Sequence, residues 1–186
     1  MKVKIRLRKV NLAETTLAEL RILHWFFAHP TRSFTFNEVC KLTGTAKTTT
    51  KLVVEKLIRI GILTRTTIGN LWSITAQPNS LFFHRLKTSY NFDVVLRAGI
   101  VDGVREKYPQ ARAIILFGSY RKGDDTEESD LDIAVEVPGT PSMKIEEAGT
   151  ISMLGYREQV KLNLHIFSRE KIDLNVFANI ANGIVL

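Results

Sequence analysis

Apolar positions along the chain change period several times, and each change predicts an element. Leu17, Leu20, Leu23, His24 and Phe27 recur at three-and-four spacing. This predicts a helix opening at Asn11, with Glu14 where a capping box would place it, and closing at Pro30. Ser33-Phe34-Thr35-Phe36 predicts a short extended piece, followed by a helix from Glu38 to Leu42 that is capped by Asn37 and stopped at Gly44. A third helix, Ala46 to Ile60, is expected to bury Leu52, Val53, Leu57 and Ile60 before Gly61 ends it. Two β-rich runs, Ile62 to Thr67 and Leu71 to Thr75, flank Ile68-Gly69-Asn70 and predict a hairpin. Upstream, Lys2 to Arg8 alternates basic and apolar residues, as an edge strand or a basic arm would.

Ala76-Gln77-Pro78-Asn79-Ser80 breaks the pattern, and helical periodicity resumes from Leu81 to about Lys107, with interruptions expected at Asn91 and Gly99. Phe82, Leu86, Tyr90, Val94, Val101 and Val104 fall near its predicted inner face. Ala113 to Phe117 is a wholly apolar strand that runs into Gly118-Ser119. An acidic loop, residues 124–128, precedes a second strand over Ser129 to Val137, and Val160 to Phe167 alternates like a third. The remainder reads as a short closing helix and an apolar tail. The pattern gives an α+β chain divided at 1–78, 79–108 and 109–186, with a long helix as the joint.

Composition narrows the classes. With 45% hydrophobic and 24% charged residues in 186, the chain is an ordinary globular sequence and not a disordered or fibrous one. No apolar run reaches membrane-span length, the N-terminus lacks a signal-peptide core, and the single cysteine, Cys40, fits a reducing compartment; a cytoplasmic location is expected. The net charge of +7 hides a division: residues 1–90 carry +11 and residues 91–186 carry −4. The first half is therefore expected to meet a polyanion.

Phe36 to Thr75 resembles the winged helix-turn-helix family, through the turn at Thr43-Gly44-Thr45, the Leu57-x-x-x-Gly61-Ile62-Leu63 ending and the Gly69-Asn70 wing. The resemblance implies binding of double-stranded DNA. Thr45, Lys47, Thr48, Thr49 and Lys51 would lie at the exposed start of the recognition helix, where hydroxyls reach bases or phosphates and lysines neutralise phosphates. Arg65 in the wing would reach the adjacent backbone or minor groove.

The second half holds Gly118-Ser119, ten intervening residues, then Asp130-Leu131-Asp132 opening a strand. From Ala111 to Phe167 it resembles the nucleotidyltransferase superfamily of the DNA polymerase β type, and within it the minimal nucleotidyltransferases. That implies a mixed sheet flanked by helices and transfer of a nucleotide from an NTP to an acceptor hydroxyl. Alternation along a strand puts Asp130 and Asp132 on one face, a hard anionic pair suited to Mg²⁺ and hence to a catalytic role. Gly118 leaves room for a phosphate, with Ser119 and Lys122 as its expected contacts. The family's third carboxylate is expected on Val160 to Phe167, facing the same way as Lys161, Asn163 and His165, and the residue there is Asn163. An amide is a weaker Mg²⁺ ligand, which puts occupancy by two metals in doubt; Glu136 lies too far along its strand to substitute. Besides an active transferase, the resemblance leaves two readings open: a DNA-binding regulator whose degenerate transferase domain senses a nucleotide or contacts a protein, and an antitoxin partner of a HEPN-type toxin. A homodimer is a further possibility.

Overall fold

The computed structural model describes residues 15–186; the expected Asn11–Glu14 cap and the Lys2–Arg8 strand or arm lie outside them. Helix α1 (Leu17–Ala28) leads through β1 (Ser33–Thr35) to α2 (Phe36–Thr43) and α3 (Lys47–Arg59), then to the hairpin β2 (Leu63–Ile68) and β3 (Leu71–Ala76). The three strands form an antiparallel sheet in the order β1-β3-β2, and Ile68 pairs with Leu71 across the two-residue Gly69-Asn70 turn. This is a winged helix-turn-helix.

Local chemistry fixes the helix ends. Thr35, not Asn37, caps α2: its hydroxyl accepts from the Glu38 amide while Glu38 returns a bond to the Thr35 amide, a complete capping box. That box uses the last residue of β1, so the helix begins directly where the strand ends. At the far end of α3, the Ile62 amide reaches Leu57 O and the Gly61 amide reaches Ile58 O, with Gly61 at φ 74°, a Schellman stop.

The expected inner faces are rotated. On α1 the buried side is Ile22, Phe26 and Phe27, while Leu17 is 65% exposed. On α3 it is Thr50, Val53, Val54 and Leu57, with Leu52 and Ile60 at the surface. α1 is apolar enough all round for more than one stripe to fit the period, and on α3 the consecutive Leu52, Val53 and Val54 leave two stripes open. The three-dimensional choice follows the aromatic core of Phe26, Phe27, Phe34 and Phe83.

Helices α4 (Leu81–Arg97) and α5 (Ile100–Lys107) are separated at Gly99, which adopts a left-handed conformation. Four-residue spacing on α4 buries Phe83, Lys87, Asn91 and Val95, one position round from the expected Phe82 face. Phe83 enters the winged-helix core and Val95 enters the core of the second half, so one helix is packed into both.

The second half comprises β4 (Ala113–Leu116), α6 (Gly118–Lys122), β5 (Leu131–Glu136), β6 (Lys144–Leu154), β7 (Arg157–Phe167), α7 (Leu174–Ala181) and β8 (Ile184–Val185). The sheet order is β6-β7-β5-β4-β8, with β5 and β7 parallel and the other pairs antiparallel. The long strand β6 had no sequence-level expectation, and the apolar tail is a strand pairing with β4. One sheet face packs Leu116, Ile133, Val135, Leu164 and Ile166 with α4 and α5. The opposite face packs Ala134 and Phe167 with Ile180 of α7. Among the described residues no helix is long and apolar enough to cross a membrane.

Where α4 meets the second half, it carries a buried ion pair. Lys87 Nζ lies 3.1 Å from Asp125 Oδ2, each side chain 1% exposed, and also donates to the Asp125 carbonyl. Burial pushes the Lys87 amine down and the Asp125 carboxyl up from their ordinary ranges; the mutual attraction opposes both. Removing one partner strands the other. Lys87→Met is expected to lower unfolding free energy in urea by about 3–5 kcal/mol, and Lys87→Met with Asp125→Leu to recover most of it.

Candidate functional site

The site forms where β4 turns into α6 and β5 begins. Gly118 has φ 69°, and a Cβ there would lie 3.0 Å from Asp132 Oδ2, so glycine is required both by the backbone and by the neighbouring carboxylate. The Phe117 amide donates to the Asp132 carbonyl at 3.3 Å, which ties the turn to the start of β5. Asp130 stands just before that strand and Asp132 within it, on the side of the sheet that α7 covers.

Parallel pairing of β5 with β7 sets what faces them. Asp132 is in register with Asn163, and Ala134 with His165. Asn163 Nδ2 donates to Asp130 Oδ2 at 3.2 Å. His165 Nε2 lies 2.9 Å from Asp132 Oδ1. A carboxylate only accepts, so Nε2 carries the proton; in the neutral imidazole Nδ1 is then a bare lone pair, buried and without a partner among the described residues. Phe117 holds the imidazole ring edge-on at 4.8 Å between centroids. The expected common face of Asp130, Asp132, Asn163 and His165 is therefore real, and the two non-acidic residues are hydrogen-bond donors to the two acidic ones. Glu136, further along β5, is held by Arg169, whose hydrogen bonds keep its carboxyl below the usual range.

Each carboxylate keeps one oxygen outside these bonds, and the glycine leaves open backbone beside Asp132. This donor set suits one hard divalent cation. Asn163 stands where the resemblance led to a third carboxylate being expected, with His165 two residues on along the same face. Ser119 is half-buried at the start of α6, and Lys122 is exposed one turn further on.

The other candidate surface is on the winged helix. Lys47, Thr48 and Lys51 are exposed along the first half of α3, with Thr49 half-buried beside them. Thr45 is engaged elsewhere: its hydroxyl lies 2.8 Å from Thr43 Oγ1 and 2.6 Å from Thr50 Oγ1, a chain that fastens the turn to α3. Arg65 lies over the Trp72 ring at 4.3 Å, which holds its guanidinium on the wing.

Periodicity alone passes over the polar residues that brace this arrangement. Asn91 Nδ2 donates to Tyr120 O at 2.9 Å and to Asp125 Oδ1 at 2.6 Å. Arg157 donates to the carbonyls of Glu127 and Ser129, both at 2.7 Å, and to the Tyr120 hydroxyl. The available signal was the spacing Phe83-x3-Lys87-x3-Asn91-x3-Val95, two polar residues between two apolar ones on one helical stripe.

Residues 97–184 match the family model described as "Nucleotidyltransferase domain". With the mixed sheet and the Gly118–Asp132 geometry, this defines the second half as a nucleotidyltransferase fold joined to a winged helix. No curated protein matches the chain. Among solved structures it is similar to the crystal structure of MepR, a transcription regulator of the Staphylococcus aureus multidrug efflux pump MepA, at 18% identity and a TM-score of 0.40, over 53% of this chain and 73% of that one.

Gly118→Ala should destabilise the fold by about 1–2 kcal/mol from the left-handed backbone alone, measurable by urea denaturation.

Proposed function

We propose that the chain is a DNA-binding protein whose nucleotidyltransferase domain takes a nucleoside triphosphate with one Mg²⁺ and transfers its nucleotidyl group to an acceptor hydroxyl. The observation behind this reading is the convergence of Gly118, Asp130 and Asp132 at one strand-to-helix turn inside the segment that matches the family.

In this reading Asp130 and Asp132 hold the cation, and bound Mg²⁺ supplies charge stabilisation for the phosphates during in-line displacement. Gly118 admits the triphosphate to the backbone, and Ser119 and Lys122 bind its oxygens. The acceptor oxygen would bond to the α-phosphorus as its hydroxyl proton passes to solvent, while the bond to the bridging oxygen breaks and pyrophosphate leaves with that electron pair. Asn163 and His165 would orient the two carboxylates, each by donating to one oxygen and leaving the other free of that bond. In Mg²⁺-containing buffer, Asp130→Ala should abolish ATP, GTP and CTP binding in calorimetry; unchanged binding would sink the assignment.

One observation favours a second reading, nucleotide sensing with little turnover: Asn163 leaves the carboxylate set one short. Asn163→Asp is expected to tighten divalent-cation binding by about tenfold or more and to raise transfer of label from an α-labelled NTP. If the wild-type protein binds NTP but transfers no label, and the variant does, sensing is the function.

In this reading DNA binding rests on the exposed Lys47, Thr48 and Lys51 of α3 and the half-buried Thr49 beside them, with Arg65 on the wing and the +11 charge of residues 1–90 in support. Replacing Lys47 and Lys51 by Ala should reduce the slope of log affinity against log salt by about two for duplex DNA. An unchanged slope would move the interface elsewhere.

A further inference from the structure

The nucleotide site is braced by a helix that lies almost wholly outside the matched segment. Residues 97–184 match the nucleotidyltransferase family model, yet α4 runs from Leu81 to Arg97. One stripe of it, His84, Lys87 and Asn91, holds the elements that carry the site. His84 Nδ1–H donates to the Gly123 carbonyl at 2.9 Å, at the C-terminal end of α6. Gly123 is required there, since a Cβ would run into the His84 carbonyl and lie 2.8 Å from Thr88 Oγ1. Asn91 bridges the Tyr120 carbonyl of α6 to the Asp125 carboxylate, and Lys87 closes on Asp125.

Asp125 belongs to the segment of residues 124–129 that separates the two halves of the site. Gly118 and Ser119 lie before that segment and Asp130 directly follows it. Its middle is also fastened to the winged helix, because Glu127 accepts from the Thr31 amide at 3.1 Å and from the Thr31 hydroxyl at 2.8 Å, between α1 and β1. Trp25 of α1 meets Tyr156, beside Arg157, edge-on at 5.6 Å. Arg157 in turn holds the carbonyls of Glu127 and Ser129. The far end of α4 is committed to the winged helix through Phe83, which packs on Phe27 at 5.1 Å.

We propose that His84, Lys87 and Asn91 are positioning residues of the nucleotide site, and that through them and the Glu127–Thr31 contact nucleotide binding and DNA binding are thermodynamically linked. The proposal rests on the function read above. It adds that the winged helix is part of the site's framework and not a separate module on a tether. Any displacement of residues 124–129 that accompanies nucleotide binding must be taken up by α4, whose buried polar contacts with Asp125 do not stretch independently, and is passed to Thr31 through the surface hydrogen bonds to Glu127. Linkage is reciprocal: each ligand must change the other's affinity by the same factor.

The test measures four affinities on the full chain: ATP with Mg²⁺, with and without saturating duplex of mixed sequence, and the labelled duplex with and without saturating ATP and Mg²⁺. The expected result is a change of about fivefold or more, equal in both directions. Glu127→Ala, a change at the protein surface, should leave each affinity measured alone within about twofold and bring the linkage factor close to one. Asn91→Ala should weaken ATP binding while leaving duplex binding measured alone intact. If that variant does not fold, the Glu127→Ala arm decides. Wild-type protein that binds both ligands with a factor of one overturns the proposal and leaves the proposed function standing. Protein that binds no ATP, or no duplex, overturns both.

Discussion

A lysine and an aspartate that are both removed from solvent hold each other in place, and Lys87 with Asp125 is such a pair, each side chain 1% exposed. Burial drives both toward their neutral forms; what retains them is geometry and the further hydrogen bonds each side chain makes. Asn91 supplies one hydrogen bond to the carboxylate at 2.6 Å, and the Arg157 guanidinium stands 3.8 Å from it. Burial among these groups also pushes up the Tyr120 and Tyr90 phenols, Tyr90 to about 12. A network this dry tolerates little displacement. The position of residues 124–129 is thereby set by α4, and α4 is set by apolar residues at its two ends, Phe83 in one core and Val95 in the other.

From that loop the geometry propagates to the carboxylates by backbone alone. Arg157 fixes the Ser129 carbonyl at 2.7 Å, Asp130 follows, and β5 then runs antiparallel to β4 and parallel to β7. Parallel register is what puts Asn163 opposite Asp132 and His165 two residues on. A slip of one residue in β7 would turn Asn163 and His165 to the other face of the sheet and bring apolar Leu164 beneath the carboxylates.

The elements that were legible in the sequence are those defined by local chemistry. Gly44, Gly61 and the Gly69-Asn70 turn end helices and close the wing as their types require, and the spacing of Gly118-Ser119 from Asp130 and Asp132 pointed to one site. Strand alternation placed Asn163 and His165 on the right face. What escaped was decided by tertiary packing. Leu52 and Leu17 fit a helical stripe but are exposed, because the aromatic core selects a neighbouring face. Strand β6 carries Glu146, Glu147 and Lys144 among its apolar positions and lies at a sheet edge, where burial imposes little alternation; Glu146 instead bonds Lys107, Lys144 and Tyr108, which hold its carboxyl down at about 2. Lysine and asparagine ordinarily face solvent, and only the arrival of Asp125 from far along the chain gives Lys87 and Asn91 a reason to be buried.

The substitution at Asn163 follows the same electrostatic logic. Three carboxylates at the head of one sheet would repel one another unless cations were bound, raising the protonation of at least one and loosening the turn. An amide at 163 removes one charge and donates to Asp130, while His165 donates to Asp132, so both carboxylates are held in the absence of a cation. In this arrangement one oxygen of each carboxylate is engaged by a donor and the other lies outside these bonds. On the proposed reading, a nucleotide bound here would be felt through residues 124–129, whose buried Asp125 is held by Asn91 and Lys87 of α4.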